Sequence, residues 1–149
     1  MELRTTAQRI ADTRARLDED DDVWVATASH EGEPHLVPLS LVWSAGEVVL
    51  ATEGRSVTAR NALATGRVRL ALGVGKDAVL IDASARVVAL DCASAELHEV
   101  YRHRAGWDPA AERGDYVYIV ATPIRVQAWR HVGEISGRTV MRDGSWLED

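Results

Sequence analysis

The feature that most constrains this chain is a β-forming run with a proline in its middle, HLVPLSLVW (35–43), preceded by a second proline, Pro34. Each proline removes a ladder donor, so this strand is predicted at a sheet edge or opening rather than in mid-sheet at Pro38. Something other than a neighbouring strand is expected to pair there. Two further β-rich runs flank it, VWVATAS (23–29) and VVLAT (48–52), separated by the turn segments HEGEP (30–34) and SAGE (44–47). Together they predict a three-strand antiparallel meander.

Outside this region the periodicity changes. Leu3, Ala7, Ile10 and Leu17 fall on a helical stripe, with Thr5 or Thr6 as cap, and predict an amphipathic helix over 4–18 lying across a barrel mouth. RSVTARNALATG (55–66) has helix formers, a Ser56 cap and a closing Gly66, and predicts a short helix. RVRLAL (67–72) alternates, the turn GVGKD (73–77) follows, and AVLIDASARVVAL (78–90) completes a hairpin. Asp91 is expected to cap a helix over 92–105 whose stripe is Ala93, Leu97, Val100 and Tyr101. YVYIVATPIRVQAW (116–129) supplies a last strand or strand pair, and the tail 138–146 carries an Asp-Gly turn signal. Six or seven strands with three helices predict a mainly β barrel with peripheral helices. At 149 residues the chain suits one domain: helix 4–18, barrel 23–129 and a C-terminal extension 130–149.

Several function classes lack their chemistry. A net charge of -6, with an acidic run at 18–22, opposes nucleic-acid and anionic-membrane binding, which need a positive field. No membrane span or signal segment is legible, and a lone Cys92 agrees with a reducing compartment, so a cytoplasmic protein is expected. His98 and His103 are five apart and share no helical face, His30 and His35 flank a turn, and no metal site is predicted. GVGKD lacks phosphate-loop spacing, and no nucleophile elbow is present. The strand-to-helix junction ATEGRSVTARN (51–61) stands out instead. A helix start offers unpaired N–H groups and partial positive charge, and Ser56, Thr58 and Arg60 add hydroxyls and a cation within one turn, a combination suited to phosphate.

The order of a helix, PHLVPLSLVW, VVLAT and GRSVTARNALATGRVRLAL, with ATPIRVQAW late in the chain, resembles the split barrels of the pyridoxamine 5'-phosphate oxidase superfamily over residues 5–130. The likeness is strongest to its flavin/deazaflavin oxidoreductase branch from actinobacteria. The resemblance implies a Greek-key, FMN-binding split barrel that forms a homodimer, with two cofactor sites at the interface holding FMN or the deazaflavin coenzyme F-420. Carried over by position, it places the cofactor ring near Val37, Pro38, Leu39 and Ser40 and near Ala51 and Thr52. The phosphate falls near Ser56, Thr58, Arg60 and Asn61. Contacts to the partner chain would come from Arg125, Gln127 and Trp129, or from Arg142 and Trp146, with Trp129 either touching cofactor or serving as an interface or core aromatic.

Many members carry a basic residue at the position of Thr58. A neutral hydroxyl there forfeits about 1–2 kcal/mol of charge-assisted contact unless Arg55 or Arg60 compensates. The implied function is hydride exchange between the bound cofactor and a small organic substrate, chemistry that needs no conspicuous catalytic acid or base. The alternatives are a non-catalytic split barrel binding flavin, deazaflavin or haem, and an apo dimer. Oxidation of a pyridoxine phosphate is not expected, because no second basic cluster is present.

Overall fold

The computed structural model describes residues 2–73 and 75–148; Val74, inside the turn expected at 73–77, lies outside the described residues, as do Met1 and Asp149. Helix α1 (Thr6–Glu19) starts at Thr5, whose side chain accepts from Gln8 N at 3.1 Å while Gln8 Oε1 accepts from Thr5 N at 2.8 Å. This reciprocal cap satisfies two donors that a helix start otherwise leaves unpaired. Strands β1 (Asp22–Ala28) and β2 (Pro34–Ser40) follow as a hairpin, with Trp24 opposite Pro38. Then come β3 (Val42–Ser44), β4 (Glu47–Glu53), helix α2 (Val57–Thr65), β5 (Arg67–Leu72) and β6 (Ala78–Ala89). Helix α3 (Ala95–Ala105), β7 (Tyr116–Trp129), β8 (Thr139–Arg142) and β9 (Ser145–Trp146) complete the chain.

The sheet runs β2-β1-β5-β6-β7-β4-β3, with β8 on the free half of β7 and β9 on β8. Its end strands, β2 and β3, are joined through the single residue Leu41. In a flat sheet the six steps between them would span about 29 Å at ~4.8 Å each. Two residue steps reach about 7 Å. The sheet therefore curls until its edges adjoin without pairing, which is a split barrel. This corrects the expected meander. The 35–43 run is two strands, one on each edge, bent where Leu41 N donates to Asp21 O at 2.8 Å. Pro38 sits on the edge strand β2, paired only with β1, where its missing N–H interrupts no second ladder.

Inside the curl, Val25, Leu50, Leu70, Ile81 and Ile119 are fully buried. Each such side chain contributes about 1.5–3 kcal/mol of burial. A smaller apolar layer, Val42, Val49, Ala51 and Tyr118, lies on the other face of β3, β4 and β7 and packs against Tyr101 of α3. Helix α1 packs against β3, β7 and β8 and sends Leu17 into the main core.

Helix α3 starts later than expected. Asp91 lies in a 3-10 turn (Leu90–Cys92), and Ser94 is the cap, its Oγ accepting from Leu97 N at 3.0 Å. His98 Nε2 donates to the Leu90 carbonyl at 2.9 Å, tying this 3-10 turn back onto α3. The tail is not a loose appendage: Val140 and Met141 are buried in the main core, and Asp143 and Gly144 (φ 52 and 79) make the tight turn between β8 and β9. None of the described helices is long and apolar enough to cross a membrane.

Candidate functional site

Where β4 gives way to α2, local chemistry fixes the backbone. Ser56, extended at φ -63 and ψ 154, caps the helix through its Oγ, which accepts from Ala59 N at 3.1 Å. Thr52 Oγ1 donates to the same oxygen at 3.3 Å, and Gly54 N donates to Asp115 O at 2.7 Å, tying the turn to the approach of β7. Gly66 closes the helix in the left-handed region at φ 67, which a side chain would disfavour. Arg60 N reaches Ser56 O, but Val57 and Thr58, the first two helical residues, have no acceptor within the helix for their N–H groups. Arg60 is exposed, and so is Arg55, which borders a cleft of about 230 Å³ with Glu53, Gly114 and Asp115. The start of α2 is thus a donor-rich surface flanked by two guanidinium groups. That donor set fits a phosphate.

Two of the residues expected at the phosphate face the other way. Thr58 is 2% exposed and packs on the underside of α2, so toward solvent it offers its backbone N–H rather than its hydroxyl. Asn61 Nδ2 donates to Thr27 Oγ1 of β1 at 3.1 Å, and both residues are buried. The amide is committed to holding α2 on the sheet.

The strands expected to hold the ring lie at the seam of the curl. Helix α2 packs against both β2 and β4, so Val37–Ser40, Ala51–Thr52 and the helix start share one neighbourhood although β2 and β4 do not pair. Val37 and Leu39 turn inward onto the core, while Pro38 is exposed on the opposite face. Ala51 points to the layer under α3; Thr52, one residue on, points to the cap. Only one of this last pair can face a given side of the seam. Ser40 lies near Tyr101, a fully buried residue. Burial, opposed weakly by Ser40 and Trp107, pushes the Tyr101 phenol up to about 12, and its hydroxyl makes no hydrogen bond of good geometry among the described residues.

Trp129 is not brought to this place. It pairs with Ala78 at the far end of β7, whereas Tyr116 at the near end pairs with Glu53. At ~3.3 Å per residue the two ends of this strand are about 40 Å apart along its path. The Arg138 guanidinium lies 5.7 Å from the Trp129 ring.

Two clusters went unseen in the sequence. His98 Nε2 faces a carbonyl and so must carry a proton, which leaves Nδ1 to accept from the Tyr118 hydroxyl at 2.9 Å. The Tyr118 ring meets Tyr101 in turn at a tilt of 54°, with centroids 5.3 Å apart. Asp82 bridges Arg69 at 2.5 Å and Arg125 at 2.8 Å. Desolvation raises the Asp82 carboxyl, but these two hydrogen-bonded cations outweigh it and hold it below the usual carboxylate range. The bridge borders a cleft of about 360 Å³ that opens where β1 and β5 stop pairing beyond Ala26 and Arg69, with Arg67 and Thr65 on its rim. Cross-strand alternation of Arg69 and Asp82 was the available signal, once register was known.

Residues 11–130 match the family described as pyridoxamine 5'-phosphate oxidase. No curated protein matches the chain. Among solved structures it is similar to an F420 reductase, with TM-score 0.61 and 18% identity over 76% of this chain and 94% of that one. HutZ, the haem storage protein from Vibrio cholerae, gives TM-score 0.65 and 14% identity over 80% and 94%. An FMN-binding, pyridoxamine 5'-phosphate oxidase-related protein from Nostoc punctiforme gives 0.59 and 13% over 93% and 88%. At these identities the structural likeness shows the split-barrel fold.

Proposed function

The chain belongs to the pyridoxamine 5'-phosphate oxidase family, and from that premise we propose that it is a flavin- or deazaflavin-dependent oxidoreductase acting on a small organic substrate. The observation that carries the reading is the α2 start: unpaired Val57 and Thr58 N–H groups and exposed Arg55 and Arg60 beside the open seam of the barrel. FMN, or the deazaflavin coenzyme F-420 in its place, would supply the hydride-exchanging chemistry. The protein's part is binding, orientation and exclusion of water. Arg60 and the helix start would hold the phosphate. Ser56, its oxygen already shared by Ala59 N and Thr52, keeps the helix start rigid. Val37 and Leu39, packed on the core, give the seam an apolar wall.

We also propose that a second copy of the chain completes the site. Trp24 and Leu36 are 41% and 60% exposed on the outer face of β1 and β2, opposite the core-facing Val25 and Val37. Trp129, too distant to reach the α2 start in one chain, would then contribute from the partner. A second functional reading, a non-catalytic cofactor or haem binder, is favoured by one observation, the buried neutral Thr58 at the position where many members are basic.

Loading purified protein with FMN or the deazaflavin and following its bleaching by a nicotinamide, or its exchange with a dehydrogenase-reduced deazaflavin, separates the readings. Bleaching followed by reoxidation with a small-molecule acceptor supports the oxidoreductase. Bound cofactor that stays inert to every donor supports the carrier.

A further inference from the structure

The turn from β4 into α2 carries charges of both signs. Ser56 N donates to Glu53 O at 3.0 Å, which closes residues 53–56 into a tight turn, and Gly54 N is tied to Asp115 O. Glu53 pairs with Tyr116 in the ladder, so Gly114 and Asp115 stand beside it just ahead of β7. With Arg55 these residues line the cleft of about 230 Å³ next to the helix start. Gly114 is what lets the Glu53 carboxylate in: its φ is 113, and a Cβ there would come within 2.9 Å of Glu53 Oε1.

The cleft and the seam lie on opposite edges of one strand. Strand β3 pairs with β4 over Glu47–Val49 only, so near its α2 end β4 has β7 on one edge and the open seam on the other. Glu53, Arg55, Arg60 and Asp115 are all exposed, and none of their side chains has an ion pair or hydrogen bond among the described residues. On the β7 edge, two carboxylates thus face one guanidinium, Arg55.

A ring on the seam edge, with its phosphate on the N–H groups of Val57 and Thr58, directs whatever is attached beyond the phosphate toward the β7 edge. FMN ends there, in a phosphate monoester. The phosphate of F-420 is a diester that continues into a chain of carboxylates. Like charges brought together at a binding surface oppose association, and a repulsive element of this kind separates two ligands that the attractive contacts treat alike. We infer, on the cofactor reading proposed above, that Glu53 and Asp115 make this site selective for FMN over the deazaflavin coenzyme.

The test is equilibrium titration of the full chain with FMN, riboflavin, F-420 and the ring nucleoside of F-420 without its phosphate, so that each head group is scored against its own ring. FMN should bind at least tenfold tighter than riboflavin, and F-420 less than threefold tighter than its nucleoside. In the double variant Glu53→Gln, Asp115→Asn, the gain from the F-420 head group should rise at least fivefold and the gain from the FMN phosphate should change less than twofold, with the melting temperature of the parent retained. Absence of binding by all four ligands would remove the cofactor reading and this selectivity together. An F-420 head group that gains as much as the FMN phosphate, or a gain that the double substitution leaves unchanged, would overturn the selectivity alone and leave the cofactor reading standing.

Discussion

Asn61 Nδ2 donates to Thr27 Oγ1 across 3.1 Å in the interior of the barrel, joining the helix that carries the candidate phosphate site to the first strand of the sheet. Both residues are 7% exposed, so neither group has bulk water to fall back on. Asn61→Ala should cost about 1–3 kcal/mol, because it also strands the Thr27 hydroxyl. Pairing it with Thr27→Val should recover part of that loss. Urea unfolding of the two single variants and the double variant measures the coupling; strictly additive losses would mean that the bond contributes nothing.

Tyr101 gives the opposite expectation. Its hydroxyl is buried and without a good partner, so Tyr101→Phe should be neutral or stabilise by up to about 1 kcal/mol near neutral pH. The sign with pH is fixed by the raised phenol. The folded state favours the neutral form up to about 12 while an unfolded tyrosine ionises near 10, so stability is full below 10 and declines as pH rises from 10 to 12. Denaturation curves across that window should slope less for Tyr101→Phe than for the parent.

Glu134 anchors the tail at the opposite extreme. It accepts from Arg4 Nη2 at 2.9 Å, from Arg4 N at 2.9 Å and from Arg130 N at 2.9 Å. The hydrogen bonds from the Arg4 side chain, opposed by desolvation, lower its carboxyl to about 2 from the ordinary 4.5. A depressed carboxyl stabilises above its unfolded value and loses that contribution as pH falls from 4.5 toward 2. Glu134→Gln should flatten the acid limb of the stability profile, and it should cost about 3 kcal/mol at neutral pH by leaving Arg4 with Asp12 as its remaining carboxylate. Thermal melts of both proteins from pH 2 to 7 check this.

What the sequence disclosed and what it withheld divide along a physical line. The ends of α2 were legible because Ser56 and Gly66 act within one turn of chain, and the edge placement of β2 followed from a donor that Pro38 lacks. The bend at Leu41 was not, because it depends on the whole sheet curling until its ends meet. Asp91 and Ser94 are equally good caps in isolation; the chain caps α3 at Ser94, with a 3-10 turn over Leu90–Cys92 whose Leu90 carbonyl accepts from His98. The inward turn of Thr58 and Asn61 was hidden for a related reason. A nine-residue helix whose buried face is Thr58, Ala59, Asn61 and Ala62 has no apolar stripe to announce which side is covered.

The exposed face of β1 and β2 carries the proposal of a second copy. Trp24→Glu places a charge opposite Pro38 in the middle of that face without touching the core. Sedimentation at micromolar concentration should show a dimer for the parent and a monomer for the variant. A parent that sediments as a monomer removes the interface.

The most direct test of the cofactor site is a fluorescence titration of the purified protein with FMN and with the deazaflavin, repeated on Arg60→Ala. Saturable quenching at micromolar concentration is predicted for at least one of the two, weakened at least tenfold by the substitution, a loss of about 1.4 kcal/mol. Absence of binding by either ligand at tens of micromolar would contradict cofactor use altogether, and binding that Arg60→Ala leaves unchanged would remove the start of α2 as the place where the phosphate is held.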